Sequence, residues 1–162
     1  MTEPKSASKI PSLYEWAGGK PALEKLTATF YTKVFGDQLL SPVFAQMGPD
    51  HPQHVAAFIG EVLGGPEDFS KTHGGHAGMI MKHLGRHLTH EQRRRWMDLL
   101  LQTADEVGLP DDPEFRSAFV GYIEWGSRLA VINSQPGVTP PPADSPMPKW
   151  GWGEVKGPYQ GP

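Results

Sequence analysis

At 162 residues, the chain is a prior for one domain with a core that needs no staple, and its lack of cysteine excludes disulfide frameworks, cysteine zinc sites, iron–sulfur clusters and thiol nucleophiles. Its 15 Lys and Arg against 18 Asp and Glu give a net charge of −3, which offers no electrostatic basis for binding nucleic acid or an anionic membrane. No stretch approaches the roughly 18 apolar residues of a membrane span, so the expectation is a soluble, cytoplasmic protein.

Residues 1–11 read as a polar, proline-flanked arm, without the apolar run of roughly 7–15 residues that a signal peptide needs. Ser12 predicts the cap of a short helix, Leu13–Trp16, which Gly18-Gly19 ends. Pro21 suits the first turn of a second helix. Leu23, Leu26, Phe30 and Val34 share one face of it, with Thr27 and Tyr31 at the edge. Gly36-Asp37 closes that helix, and Ser41-Pro42 starts a single turn through Phe44, Ala45 and Met47. From His51, the positions His51, His54, Val55, Phe58, Ile59 and Val62 make one helical stripe with two imidazoles at its N-terminal end. Gly64-Gly65-Pro66 stops it.

Residues 64–78 are glycine-rich and read as a long, loosely held connection, of the kind that is functional or held by something else. A short helix over about Ala77–Leu84 carries His83 near its end. Thr89-x-x-Gln92 has the form of a capping box, and Trp96, Leu99, Leu100, Thr103 and Val107 form the inner face of the helix that follows. Asp111-x-Pro113-Glu114 caps the last helix, whose inner face runs from Phe115 through Phe119, Tyr122, Ile123 and Gly126 to Asn133. Arg93-Arg94-Arg95 reads as a solvated face. No alternating strand appears, so the pattern predicts an all-α domain over residues 12–135. Residues 136–162 are dominated by proline and glycine and read as a disordered or polyproline-like tail, with Trp150, Trp152 and Tyr159 as docking candidates.

Seven histidines raise the question of a metal. His83-x3-His87 has zinc-like spacing, but Leu84 stands where a metalloprotease helix places its glutamate. His51-x2-His54 and His73-x2-His76 each offer two ligands without a third close by. A histidine-based zinc enzyme and a cofactor-free all-α interaction module are the alternatives. The inward set of Tyr, Phe, Trp and His suits an apolar slot for a planar cofactor, and iron held by a proximal imidazole fits such a slot. Read singly, Trp96 is core, Tyr31 a core-edge residue and His83 a surface histidine.

Several separated motifs override those single readings. Gly18-Gly19, Phe30-Tyr31, Ser41-Pro42-Val43-Phe44, Val62-Leu63-Gly64-Gly65-Pro66, Met81-Lys82-His83, Arg95-Trp96 and Tyr122-Ile123-Glu124-Trp125-Gly126 occur in an order that resembles the truncated haemoglobins, the two-over-two globins, and most of all their second group. The resemblance covers about residues 12–135. It implies a two-over-two helical sandwich around haem b (iron protoporphyrin IX), with His83 as the iron ligand. It also implies that Tyr31, Trp96 and His51 face the bound ligand. Phe44, Val55, Phe58 and Met79 would pack on the haem, and Lys82, His54 and Arg86 would pair with its propionates. The ligands implied are O2, NO, CO and peroxide, with an unidentified reductase as electron source. The activity considered is NO dioxygenase or peroxidase-like turnover, and a homodimer is the assembly left open.

Overall fold

The computed structural model describes residues 10–159, so residues 1–9 of the expected arm and residues 160–162 of the tail lie outside the described residues. Seven α-helices and no strand occur among the described residues: α1 Leu13–Ala17, α2 Gly19–Phe35, α3 His51–Val62, α4 Asp68–His73, α5 Gly75–His83, α6 His90–Glu106 and α7 Pro113–Asn133. None of them is long and apolar enough to cross a membrane.

Local chemistry sets most of the boundaries. Ser12 Oγ accepts the Glu15 backbone N–H at 3.0 Å, and Gly18 closes α1 at φ 110°, where a side chain would be strained. Thr89 and Gln92 form the reciprocal capping box at the start of α6. The cap of α7 is Asp112, one residue past the expected Asp111. Its Oδ2 accepts the Phe115 N–H at 2.9 Å, and its Oδ1 accepts the Trp16 indole N–H at 2.8 Å. One carboxylate thus starts the last helix and ties α1 to it.

Helix α2 packs against α3 and α6, α6 packs against α7, and α5 rests on α7. This is an all-α, two-over-two arrangement. Leu26, Phe30 and Val34 of α2 meet Ile59 and Val62 of α3, Leu100 of α6, and Phe115, Phe119 and Ile123 of α7 in one buried core. Burying each such side chain contributes roughly 1.5–3 kcal/mol, which makes this cluster the main source of stability.

The structure corrects further expectations. The connection over 64–78 contains α4, and α5 begins at Gly75 rather than near Ala77. Gly74 and Gly75, at φ 80° and 62°, form a hinge between two helices. Helix α4 is held by Glu61, a buried carboxylate on α3 that accepts the Ser70 backbone N–H at 2.8 Å and also the Ser70 hydroxyl. Phe69 is fully buried beside it, edge-on to Phe58 at 5.0 Å.

Within the arginine triplet, only Arg94 behaves as a plain solvated residue. Arg93 is buried and donates to Glu124 of α7 at 3.1 Å, and Arg95 pairs with Asp37 at 2.5 Å. Helical spacing explains the split, since successive residues point about 100° apart and the outer two of three reach different neighbours.

The tail over 136–159, expected to be disordered from its composition, lies against the domain. It holds little regular structure beyond a 3-10 turn at Gly153–Val155. The Trp150 backbone N–H nevertheless donates to Val62 O at 2.8 Å, and the Trp152 indole N–H to Pro11 O at 2.8 Å. Trp152 also meets Trp16 edge-on at 5.9 Å. Proline and glycine deny the tail a core of its own, and its two indoles use one already built.

Candidate functional site

A cavity of about 510 Å³ lies between α3 and α5, with α2 and α6 behind it and α7 along one side. Small-molecule sites span roughly 300–1,000 Å³. Tyr31, Phe44, His51, His54, Val55, Phe58, Met79, Lys82, His83, Arg86 and Trp96 all line it, so every residue that the family resemblance assigned to the haem or its ligand sits around this one space, whereas His73 and His87 of the zinc-like pairs do not line it.

On one wall, Tyr31 projects from α2 and is buried. Its ring is edge-on to Phe44 at 5.4 Å and to His51 at 5.0 Å. Its hydroxyl lies 3.2 Å from His51 Nε2. Burial pushes the phenol's pKa well up, with the Trp96 indole N–H beside the oxygen pulling the other way. The phenol therefore stays protonated at neutral pH and acts as a donor. Trp96, on α6, is fixed by an edge-on contact with Phe30 at 5.6 Å.

The pKa of His51, at the start of α3, is pushed down to about 4, first by burial and then by repulsion from its basic neighbours, Lys82 foremost. It is neutral at pH 7. A neutral imidazole can take the Tyr31 proton on Nε2 or, as the other tautomer, donate from it.

On the facing wall, His83 ends α5. Its Nδ1 lies 2.8 Å from the Met79 carbonyl, which can only accept, so Nδ1 carries the proton. Burial holds the imidazole's pKa down, against the Met79 hydrogen bond and with the help of Arg86 and Lys82. Nε2 is left with its lone pair free, the state in which a histidine ligates metal.

The rim is basic. His54 and His73 stack tilted at 4.0 Å, the Lys82 ammonium lies 5.9 Å over the Phe69 ring, and Arg86 donates to the Lys82 carbonyl. Among the described residues, no group of three or more His, Cys, Asp or Glu is placed to hold a metal ion. A zinc site built by side chains alone therefore has no support here. One imidazole, a mostly apolar space and a cationic rim fit a metal whose other ligands come from a flat organic macrocycle with carboxylates.

Sequence reasoning missed part of this site. Tyr122, Gly126 and Ala130 of α7 line the cavity, as do Trp125 and Leu88. The α7 spacing was visible but read as core. His76 also lines the cavity, with a buried Nδ1 that has no hydrogen-bond partner. Its separation from His83 by seven residues, two turns of one helix face, was the available signal.

The clamp behind His83 left no signal at all. The His87 N–H donates to Ser134 O at 2.9 Å and the Leu88 N–H to Ser134 Oγ at 2.9 Å, while Gln135 Nε2 donates to Leu88 O at 2.9 Å. The segment after His83 is thereby fixed to the end of α7.

Known proteins share this architecture. A family model described as bacterial-like globin matches residues 12–121. The chain is 30% identical over 117 residues to a group 2 truncated hemoglobin of Bacillus subtilis, covering 72% of this chain and 86% of that one. It is 35% identical over 90 residues to a group 1 truncated hemoglobin of Nostoc sp., covering 47% and 75% respectively. The structure of a truncated oxygen-avid haemoglobin from Bacillus subtilis superposes with a TM-score of 0.66 at 30% identity, over 75% of this chain and 99% of that chain. A group II truncated hemoglobin from Bacillus anthracis gives 0.68 at 23% identity, over 84% and 98%, a likeness of fold alone.

Proposed function

The chain belongs to the bacterial-like globin family, as a truncated haemoglobin most like the second group, and on that premise we propose that His83 Nε2 ligates the iron of haem b in the cavity described above. Haem supplies an iron centre at which dioxygen and other diatomics bind and exchange electrons. The observation that carries the reading is His83 with its Nδ1–H held on Met79 O, facing Tyr31, Trp96 and His51 across one apolar space.

In this reading Met79 fixes the tautomer and orientation of the ligating imidazole. Tyr31 O–H and Trp96 N–H, which both line the cavity, would donate to a diatomic held there. A ligand that gains negative charge in this cavity would gain more from these two donors than a neutral one would. His51, neutral and 3.2 Å from the Tyr31 oxygen, orients the phenol and takes or returns a proton. Phe44, Val55 and Phe58 exclude water. His54, Lys82 and Arg86 pair with the propionates.

Two or three donors slow dioxygen release, which favours redox turnover of NO or peroxide over bulk transport. The proposed electron source is a separate reductase or small donor. His83→Gly should lose haem or hold it only with added imidazole; native absorption spectra in that variant would overturn the ligand assignment. Mixing the oxygenated protein with NO in stopped flow should give nitrate in a fast phase, and slow or absent nitrate would remove the dioxygenase reading.

A further inference from the structure

We propose that Trp125, together with Tyr122 and the tail residue Trp150, passes single electrons between the surface and the cavity, making the Trp125 face an oxidation site for electron-rich phenols too bulky to enter. The inference rests on the haem reading above, and specifically on reaction with peroxide.

Trp125 touches both worlds. It lines the cavity and is 40% exposed to solvent. Tyr122, buried on the same helix, lies 6.4 Å from it, and Trp150 lies 5.7 Å from each of them. Trp150 is pinned by its backbone bond to Val62 O, so the three rings form one fixed cluster. The duller reading is that Trp150 merely anchors the tail. An anchor needs only buried apolar area, which leaves unexplained why the cluster ends in a half-open indole on the cavity wall.

Chemistry decides where an electron vacancy rests. An indole can lose an electron and keep its proton for a time, whereas a phenol must shed its proton as it is oxidised. Burial pushes the Tyr122 phenol's pKa up, so its proton leaves reluctantly and its phenol is a poor resting place. The vacancy then settles on the two indoles. The competing site is Tyr31, whose oxygen has His51 Nε2 at 3.2 Å as a ready proton acceptor.

The electrons balance with two phenols per peroxide. Peroxide takes up two electrons and two protons, its O–O bond breaks, and two waters form. Each electron leaves by way of Trp125. Each phenol returns one electron to the oxidised indole, releases its O–H proton to solvent and becomes a phenoxyl radical.

The test uses the full-length, haem-loaded protein with hydrogen peroxide, and a polymer-tethered phenol as the bulky donor. Without donor, electron paramagnetic resonance and peptide mapping should find oxidation at Trp125 and Trp150. Trp125→Phe should lower tethered-phenol oxidation about tenfold or more. Trp150→Phe, outside the cavity lining, should move the radical signal but keep the wild-type rate of the peroxide-driven absorption change. A radical confined to Tyr31, or a wild-type tethered-phenol rate in Trp125→Phe, overturns the relay while leaving the haem reading intact. No peroxide-driven absorption change in wild type overturns both the relay and the peroxide reading, and no Soret band overturns the haem reading with them.

Discussion

Tyr31 and His51 share one contact, and each limits what the other does. While the phenol donates to His51 Nε2, its proton is not available to a ligand in the cavity. When it turns to a bound ligand, His51 can keep the contact only as the tautomer that donates from Nε2 to the phenol oxygen. Trp96 has no such choice, because an indole N–H only donates. Trp96→Phe keeps the ring packed on Phe30 and removes one donor, so dioxygen release should accelerate about tenfold, the worth of a single hydrogen bond of roughly 1.4 kcal/mol. An unchanged release rate in flash photolysis or ligand replacement would take Trp96 out of the ligand contact.

His51 also carries a pH prediction. Its pKa is about 4 when folded and near 6.5 when unfolded, so the unfolded chain binds the extra proton and stability rises with pH across that window. The groups facing His51 are Tyr31 from α2, His54 from α3, and Lys82, His83 and Arg86 from α5 and its end. Going from pH 6.5 to 4, the apoprotein should lose about 1–2 kcal/mol at this site, discounted for the edge of the ring that water screens. His73, His76 and His83 slope the same way, so the comparison is His51→Gln against wild type in urea melts at both pH values. Parallel slopes would show that His51 protonates freely in the folded state.

At the scale of helices, legibility followed the range of the chemistry. Ser12, Gly18 and the Thr89–Gln92 box act within one turn, and each was readable from the residues alone. Helix α4 was not, because what stabilises it is a carboxylate from another helix. A glycine-rich stretch with one Phe carries no periodic signal, and Glu61 reads as an ordinary polar position on a stripe. The same reason hid the Ser134 clamp, whose partners lie 46 residues away.

This changes what holds the segment before His83. Phe69 is buried and the Ser70 N–H is held on Glu61, so α4 has a source of order within the protein itself. In hydrogen exchange, amides of 68–73 should be better protected than those of 75–86 in apoprotein, and haem should raise protection mainly in the latter. Glu61→Leu leaves the Ser70 N–H without an acceptor and should cost about 1–3 kcal/mol, with the loss of protection centred on α4. Uniform loss across the chain would mean that Glu61 supports the core at large rather than this helix.

For the molecule as a whole, the globin portion was legible because its motifs recur in a fixed order, and the tail was not because composition was the only guide. Proline and glycine say that a segment cannot fold by itself; they say nothing about a surface on which it lands. Here the landing site exists before the tail arrives. Trp16 sits against α7 through Asp112, and the last turn of α3 leaves Val62 O open for the Trp150 N–H. Trp152 closes the gap by bonding Pro11 O and packing on Trp16, so the tail joins the start of the domain to the end of α3. Deleting residues 137–162 removes two hydrogen bonds and two half-buried indoles, and should lower unfolding free energy by about 2–5 kcal/mol. The dependence on denaturant should become shallower too, because less surface is exposed on unfolding. Trp16 would lose its cover, so its fluorescence should shift to the red. A smaller change, Trp152→Ala, tests the clasp alone: it should free the Pro11 end while Trp150 stays seated, giving part of the stability loss with no change at the Trp125 face. A deletion variant with the midpoint, slope and fluorescence of the full chain would show that the tail rests on the domain without contributing to its stability.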